Sequence, residues 1–135
     1  LTVIGNGADH KKLVKMAGPT VKFVTDASDD DIAGYLQAAE AFIFPNVDDF
    51  GIAAVEALAA GTPVIAYKDG GALDYIKEGE NGMFFSEQTT ESIIEALGSF
   101  QSQGFNSNSV KKSAQGFRAE NFIIAMRALL EKGFV

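Results

Sequence analysis

Short apolar runs alternate along the chain with longer segments in which apolar residues recur at helical spacing. Between residues 28 and 39, for example, apolar residues stand at positions 32, 35, 36 and 39, the i, i+3, i+4, i+7 spacing of one helix face. Five apolar runs are predicted to be strands: 1–4, 21–24, 41–44, 64–67 and 83–85. Continuously apolar strands that alternate with helices predict an α/β fold, with a parallel sheet covered by helices on both faces.

Capping residues indicate where three of the predicted helices begin or end. Ser28 is typical of an N-cap, and the three aspartates that follow it suit the positive end of a helix dipole. Gly61 is predicted to end the helix over 50–60. Thr89 or Thr90 is expected to cap a further helix. The inward face of that helix is predicted to consist of Ile93, Ile94, Leu97 and Phe100.

Length and composition are those of one ordinary globular domain. The chain has 135 residues, of which 47% are hydrophobic and 21% charged, so a mainly disordered chain is excluded. It has no cysteine and one histidine, His10, which excludes thiol catalysis, thiolate metal sites and histidine-rich metal clusters. No apolar run approaches the roughly 20 residues of a membrane span, and no signal peptide is recognisable. A cytoplasmic location is therefore expected.

The net charge of −7 is unevenly distributed. Residues 1–22 and 111–135 each carry +3, whereas residues 23–110 carry two lysines against fifteen acids, a charge of −13. Because nucleic-acid binding rests on clustered Lys and Arg side chains facing phosphates, nucleic acid is not expected as a partner. The surplus of acids also offers an anionic ligand little electrostatic attraction.

The candidate chemistry lies beyond the strand ends, because ligands of parallel α/β sheets bind at the carboxyl ends of the strands. Four segments fall there: 5–7, 25–28, 45–51 and 68–71. Gly51, at a predicted helix start, allows a ligand close to the backbone and leaves amide N–H groups for an anion or sugar hydroxyls. Glu56, on an otherwise apolar part of that helix, can accept from both hydroxyls of a ribose. The alternative, that Glu56 simply points to solvent, is equally compatible with the spacing.

The stretch 45–66 resembles the donor-binding signature of the retaining nucleotide-sugar glycosyltransferases of family 4, also called group 1. That signature has two acidic residues eight positions apart around Phe-Gly, then a Glu-Ala-x-Ala helix and Gly-x-Pro-Val-Ile. Asp48 and Glu56 have this spacing. The similarity continues over nearly the whole chain, in the segments 3–7, 21–24, 28–32, 70–71, 79–85 and 117–122.

The resemblance implies that residues 1–135 form the C-terminal, nucleotide-sugar donor-binding lobe of a GT-B enzyme, with a Rossmann-like, doubly wound parallel sheet. It also implies that Glu56 holds the ribose hydroxyls and that Asp48 contacts the transferred sugar, which makes these two the candidate catalytic residues. The family usually has a longer glutamate in place of Asp48, and the neighbouring Asp49 can substitute for it. The other implied donor contacts are the amides of Phe50, Gly51 and Ile52, for the diphosphate and sugar, and the backbone of Val24 and Thr25, for the nucleobase.

The implied reaction is the retaining transfer of a hexose, such as mannose, from a UDP- or GDP-linked donor to a saccharide or lipid-linked acceptor. Such enzymes generally use no metal ion and no cofactor, since protein cations and helix dipoles stabilise the departing diphosphate. The acceptor binds a separate N-terminal lobe, so this chain alone is expected to be inactive. The full-length enzyme can be peripheral to a membrane.

Compared with the family, the lobe lacks its first strand and helix, which carry an Arg and a Lys for the diphosphate. That strand normally lies between the strands that correspond here to 1–4 and 41–44. These two strands are therefore predicted either to pair directly or to be joined by a strand from elsewhere, since an unfilled gap leaves backbone groups unpaired.

Two other functions use the same residues. A sugar-nucleotide epimerase of the same fold needs catalytic carboxylates and a histidine in the cleft between its lobes, and His10 is the one histidine available. A non-catalytic nucleotide-binding module keeps the fold without its partner lobe. Titration with UDP, GDP and ADP, with Glu56→Ala as the control, separates the donor lobe from such a module.

Overall fold

Parallel strands alternate with helices throughout the computed structural model, which describes residues 1–101 and 104–132. The contacts divide the chain into two compact units, Leu1–Tyr35 and Leu36–Val135, and each is described by itself. Every strand pair among these described residues is parallel, so the predicted α/β class with parallel sheets is confirmed.

The first unit contains a two-stranded parallel sheet with one crossover helix. Strand β1 (Thr2–Ile4) leads through helix α1 (His10–Met16) to strand β2 (Lys22–Val24), and Val3 is the register partner of Phe23. Beyond the ladder, the amide of Gly5 donates to the carbonyl of Val24 at 2.9 Å, which closes the carboxyl end of the pair.

Helix α2 (Asp29–Ala38) begins at the capping residue that the sequence predicts. The amide of Asp31 donates to the Ser28 hydroxyl at 3.2 Å. In return, the hydroxyl and amide of Ser28 donate to the Asp31 carboxylate at 2.6 and 3.0 Å. These two hydrogen bonds favour the ionised carboxylate and hold the pKa of Asp31 below its ordinary value, the side-chain bond having the larger effect. The N-cap prediction at Ser28 is confirmed.

The second unit contains a three-stranded parallel sheet in the order β3–β4–β5. Its strands are β3 (Phe42–Phe44), β4 (Val64–Tyr67) and β5 (Gly82–Phe85), connected by helices α3 (Ile52–Ala60) and α4 (Ala72–Tyr75). The central strand is the most deeply buried, since Val64, Ile65 and Ala66 are 0% exposed. Gly61 ends α3 in the left-handed conformation, with φ of 93°, as predicted.

Two buried polar side chains connect loops of the second unit. The hydroxyl of Thr62 donates to the carbonyl of Leu36, which ties the end of α2 to the turn before β4. Asn81 donates to the carbonyl of Tyr75 and to the Ser113 hydroxyl, both at 2.9 Å, and accepts from the amide of Lys77 at 2.7 Å. Asn81 therefore holds the end of α4 in place.

The remaining elements are helices α5 (Thr90–Phe100), α6 (Ser107–Ser113) and α7 (Ala119–Glu131), with a 3₁₀ turn at Gln115–Phe117. Thr89 caps α5 by accepting from the amide of Ser92 at 3.3 Å, which settles the choice between the two threonines. Residues of α7 are exposed along its whole length, and six of them are large and apolar: Phe122, Ile123, Ile124, Met126, Leu129 and Leu130. No helix among the described residues has the length and apolarity needed to cross a bilayer.

The predicted inward face of α5 is partly wrong. Ile94 and Leu97 are 61% and 36% exposed, whereas Ala96 is buried beside Ile65, Met83 and Phe85. Ile93 and Phe100 pack against the same cluster, so the buried arc is narrower than the apolar stripe in the sequence. The strands of the sheet are three to four residues long, so the surface that they offer to a helix is small.

Of the two arrangements predicted for the first and third strands, direct pairing is wrong, whereas a joining strand from elsewhere stays a prediction. β1 pairs with β2 and β3 pairs with β4, and within residues 1–101 and 104–132 no strand joins β1 to β3. A parallel pair depends on a crossover that delivers the second strand in register. The connections through α1 and α3 do this for β1–β2 and β3–β4, whereas the connection through α2 leads from one sheet into another.

The burial pattern yields a stability prediction with a matched control. We expect Ile65→Ala to lower the free energy of unfolding by about 2–5 kcal/mol, because it leaves a cavity against Met83 and Phe85. Ile94→Ala, which removes the same atoms from an exposed helix position, should change it by no more than about 0.5 kcal/mol. Urea denaturation measures both changes. Equal losses would contradict the burial assignment of α5.

Candidate functional site

The candidate site is the loop between β3 and α3. Asp48, Asp49 and Phe50 are exposed there, in a segment that leaves the sheet at the carboxyl end of β3. Pro45, which begins the loop, accepts a hydrogen bond on its carbonyl from the Gln88 side chain at 2.7 Å. The loop is therefore attached to the framework from its first residue.

Gly51 is required by the backbone and by the packing beneath it. It is the N-cap of α3 and has φ of 79° and ψ of 63°, a left-handed conformation that favours glycine. A Cβ atom at this position would lie 2.7 Å from both Phe44 Cζ and the Tyr75 hydroxyl oxygen. Packing against Phe44 and Tyr75 therefore requires a glycine at position 51, independently of the close ligand approach that the sequence predicts.

The start of α3 presents unpaired amide groups. The Gly51 carbonyl accepts from the amides of Ala54 and Val55 at 3.0 and 3.3 Å, which begins the helical pattern. In the part of the chain that the structure describes, the N–H groups of Phe50, Gly51, Ile52 and Ala53 have no acceptor, and no side chain caps the helix. Such groups, at the positive end of a helix dipole, are suited to an anion or to sugar hydroxyls.

Glu56 lies on the exposed face of α3. The helix buries Ala54, Ala57 and Leu58 on one side, while Ile52 and Glu56, four residues apart, share the other. The carboxylate is exposed and therefore needs no buried partner. This placement satisfies the solvent interpretation, and it also leaves Glu56 accessible to a ligand on the face that it shares with the Ile52 side chain.

Two adjacent glycines bring a second loop against the first. The amide of Gly71 donates to the carbonyl of Asp48 at 2.8 Å. A Cβ atom on Gly70 would lie 2.7 Å from that carbonyl oxygen, and one on Gly71 would collide with the carbonyl of Asp49. The β4–α4 loop is thus in backbone contact with the loop that carries the acidic residues, which is possible because β3 and β4 are neighbouring strands.

An aromatic cluster lies next to the same loop. The ring of Tyr75, which is 5% exposed, lies 6.0 Å from that of Phe50 and 5.8 Å from that of Phe117, and Phe50 and Phe117 are 5.6 Å apart. The phenol of Tyr75 donates to the carbonyl of Gly51 at 3.4 Å. Nothing in the sequence distinguishes Tyr75, because one aromatic residue in a short helix looks like any core residue until its hydroxyl partner is known.

The electrostatics around the loop are acidic. Burial and then the carboxylates of Asp48 and Asp74 raise the pKa of Tyr75 above its ordinary value, since both disfavour the phenolate. Among residues 1–101 and 104–132, no group of three or more His, Asp or Glu side chains is placed to hold a metal ion. The candidate site of this unit therefore consists of backbone amides and separate exposed carboxylates.

The two candidate nucleobase contacts belong to the first compact unit. The carbonyl of Val24 accepts from Gly5, and the exposed hydroxyl of Thr25 donates to the Asp26 carboxylate at 3.1 Å. In the same unit, the ring of His10 packs edge-on against Phe23, with centroids 5.3 Å apart. The remaining candidates all lie on the β3–α3 loop and α3 of the second unit: Asp48, Asp49, Phe50, Gly51, Ile52 and Glu56.

The chain is similar to known glycosyltransferases over most of its length. Residues 1–117 match the family model for Glycosyl transferases group 1. Over 106 residues the chain is 33% identical to a D-inositol 3-phosphate glycosyltransferase of Nocardioides sp.. This match covers 69% of the present chain and 23% of that relative.

Solved structures show the same fold. Sucrose-phosphate synthase from Thermosynechococcus elongatus matches with a TM-score of 0.84 and 23% identity, over 97% of this chain and 37% of that one. Anabaena HepE in complex with UDP-glucose matches with a TM-score of 0.60 and 21% identity, over 97% of this chain and 39% of that one. The fold is therefore a partial Rossmann-like lobe of the GT-B type, and it spans less than half the length of these proteins.

The contact between the two loops can be tested at Gly71. Its φ of −63° is available to alanine, so Gly71→Ala carries no backbone penalty, yet its methyl group collides with the Asp49 carbonyl. We expect a loss of roughly 1–3 kcal/mol in the free energy of unfolding, as for overpacked sites. Gly98→Ala is the control, because no described atom lies within 4 Å of its Cβ position in α5. That change should be neutral or stabilise by up to about 1 kcal/mol. A harmless Gly71→Ala would contradict the loop contact.

The environment of Tyr75 can be tested by alkaline titration. Its folded pKa exceeds the unfolded value of about 10, so its contribution to stability is complete below that pH and is lost as pH rises through the folded pKa. The chain has three tyrosines and no tryptophan, so the difference in tyrosinate absorbance between wild type and Tyr75→Phe isolates this group. We expect a midpoint above 10 and, in Tyr75→Phe, a shallower loss of stability at alkaline pH. A midpoint at or below 10 would show that the phenol is not buried beside the carboxylates.

Proposed function

The chain belongs to the group 1 glycosyl transferase family, and from this we propose that it binds the nucleotide-diphosphate sugar donor of a retaining hexosyl transfer. The proposal rests on one observation about α3. Its N-terminus has unpaired amides, and the same helix carries the exposed carboxylate of Glu56. An amide group attracts phosphate or sugar oxygens, and a carboxylate attracts hydroxyl groups. A nucleotide sugar carries all of these groups in one molecule.

The spacing on α3 is compatible with the order of groups in such a donor. Glu56 is four residues beyond Ile52, about 6 Å along the axis at 1.5 Å per residue. We assign the ribose hydroxyls to Glu56 and the diphosphate to the amides of Phe50, Gly51 and Ile52. The transferred sugar then faces Asp48, with Asp49 as the neighbouring carboxylate that can take its place.

In the reaction, these groups bind and orient the donor while the bond between its diphosphate and its sugar breaks. Negative charge develops on the departing diphosphate, and amides that already point at it stabilise this charge without reorganisation. The carboxylate of Asp48 faces the sugar, where positive charge develops. Val24 and Thr25 are assigned to the nucleobase by the family resemblance. We propose that this binding needs no metal ion.

The donor class is proposed to be a UDP- or GDP-linked hexose. HepE, which shares the fold, was solved in complex with UDP-glucose, and this favours UDP for the first trial. The acceptor, a saccharide or a lipid-linked molecule, is assigned to a part of the enzyme outside this chain. That assignment agrees with the chain covering 23% of its Nocardioides relative.

Calorimetric titration with UDP-glucose, UDP and a GDP-linked hexose, with and without a chelator, tests the proposal. We expect binding that survives the chelator and weakens roughly 10- to 100-fold in Glu56→Gln, the range for a hydrogen bond to a charged group. Glu95→Gln, which removes one exposed charge from α5, is the matched control and should bind as wild type does. If none of the three ligands binds to the wild-type chain, or if both variants lose affinity equally, the donor-site assignment is wrong.

A further inference from the structure

The short helix α4 contacts both ends of the loop that carries the acidic residues. Its N-cap, Gly71, donates its amide to the Asp48 carbonyl at 2.8 Å, and its last residue, Tyr75, donates its phenol to the Gly51 carbonyl at 3.4 Å. The two contacts are four residues apart on α4 and three residues apart on the loop. One helical turn therefore holds residues 48–51 at two points.

We infer that Tyr75 is a positioning residue for the donor site, which together with Gly71 clamps the loop and aims its amide groups. The inference rests on the proposed donor site and adds a residue to it. Tyr75 does not itself touch the donor in this proposal. It acts through the backbone of Gly51.

The planarity of the peptide bond explains how a contact on one side of the loop orients a group on the other. In a trans peptide the carbonyl and the following N–H lie in one plane and point in opposite directions. Holding the Gly51 carbonyl, which also accepts from the amides of Ala54 and Val55, therefore directs the Ile52 amide away from Tyr75 and out of the N-terminus of α3. In the same way, holding the Asp48 carbonyl directs the Asp49 amide.

Packing keeps the phenol of Tyr75 at this place. The ring is 5% exposed and lies against Phe50 and Phe117, and the carbonyl of Tyr75 is held by Asn81. The position of a Cβ atom on Gly51 would fall 2.7 Å from the phenol oxygen, so only glycine allows the phenol to come this close. Gly51 and Tyr75 are thus matched to each other.

A held loop should bind a donor more tightly than a free one, because the loss of conformational freedom has already occurred on folding. The clamp predicts that residues on α4, outside the acidic motif, affect donor affinity. A role limited to core packing predicts instead that only the ring of Tyr75 matters and that its hydroxyl is dispensable.

Tyr75→Phe separates these roles, because it keeps the ring and removes the hydroxyl. The experiment compares the 135-residue wild type with Tyr75→Phe and with Tyr67→Phe, a control that removes a hydroxyl from β4. The measurements are the ¹⁵N relaxation and amide chemical shifts of residues 49–53, the melting temperature, and the affinity for UDP-glucose. We expect Tyr75→Phe to increase fast motion and shift the Ile52 amide, and to weaken UDP-glucose binding about 3- to 10-fold, the range for a neutral hydrogen bond. Tyr67→Phe should resemble wild type in all measurements.

Each outcome decides the inference. Unchanged relaxation and shifts at residues 49–53 in Tyr75→Phe overturn the clamp, whether or not a donor binds. A loosened loop with unchanged UDP-glucose affinity overturns its role in donor binding. A wild-type chain that binds no UDP-glucose overturns the proposed function and the donor role of Tyr75 together, while the relaxation data still judge the clamp. A fall in melting temperature without loop motion would identify Tyr75 as a core residue only.

Discussion

Backbone contact between two loops is the constraint on which the candidate site depends. The β3–α3 and β4–α4 loops approach so closely that the Asp48 carbonyl accepts directly from Gly71 and no side chain fits at Gly70 or Gly71. The contact exists because β3 and β4 are adjacent parallel strands whose carboxyl ends lie at one edge. It sets the position of the acidic residues and of the helix start that follows them.

Packing around Gly51 connects the candidate site of the second unit to the stability of that unit. Gly51 caps α3 in a left-handed conformation against Phe44 and Tyr75, so the residue that exposes the helix amides is also packed into the framework. Asn81 anchors the end of α4 and thereby supports Tyr75. A ligand at α3 would therefore meet groups that folding has already ordered, which lowers the cost of binding.

Local signals in the sequence were good guides to the elements and their ends. All five predicted strands appear, and Ser28, Gly61 and Thr89 cap the helices where local hydrogen bonding requires them. The predictions that were wrong concern distant neighbours. Ile94 and Leu97 belong to an apolar stripe wider than the surface available to bury it, and the first and third strands pair with other partners. Neither the width of a core nor the partner of a strand is encoded in local spacing.

The sequence by itself determined the order of strands and helices, their caps, and the motif of two acidic residues around Phe-Gly, because these depend on backbone preferences and spacing within a few residues. Only the tertiary structure decided that Glu56 is exposed, that Gly70 and Gly71 lie against Asp48 and Asp49, and that the Tyr75 phenol reaches the Gly51 carbonyl. The physical reason is that these contacts join residues about twenty positions apart, and they form only when parallel strands bring their loops to the same edge of the sheet.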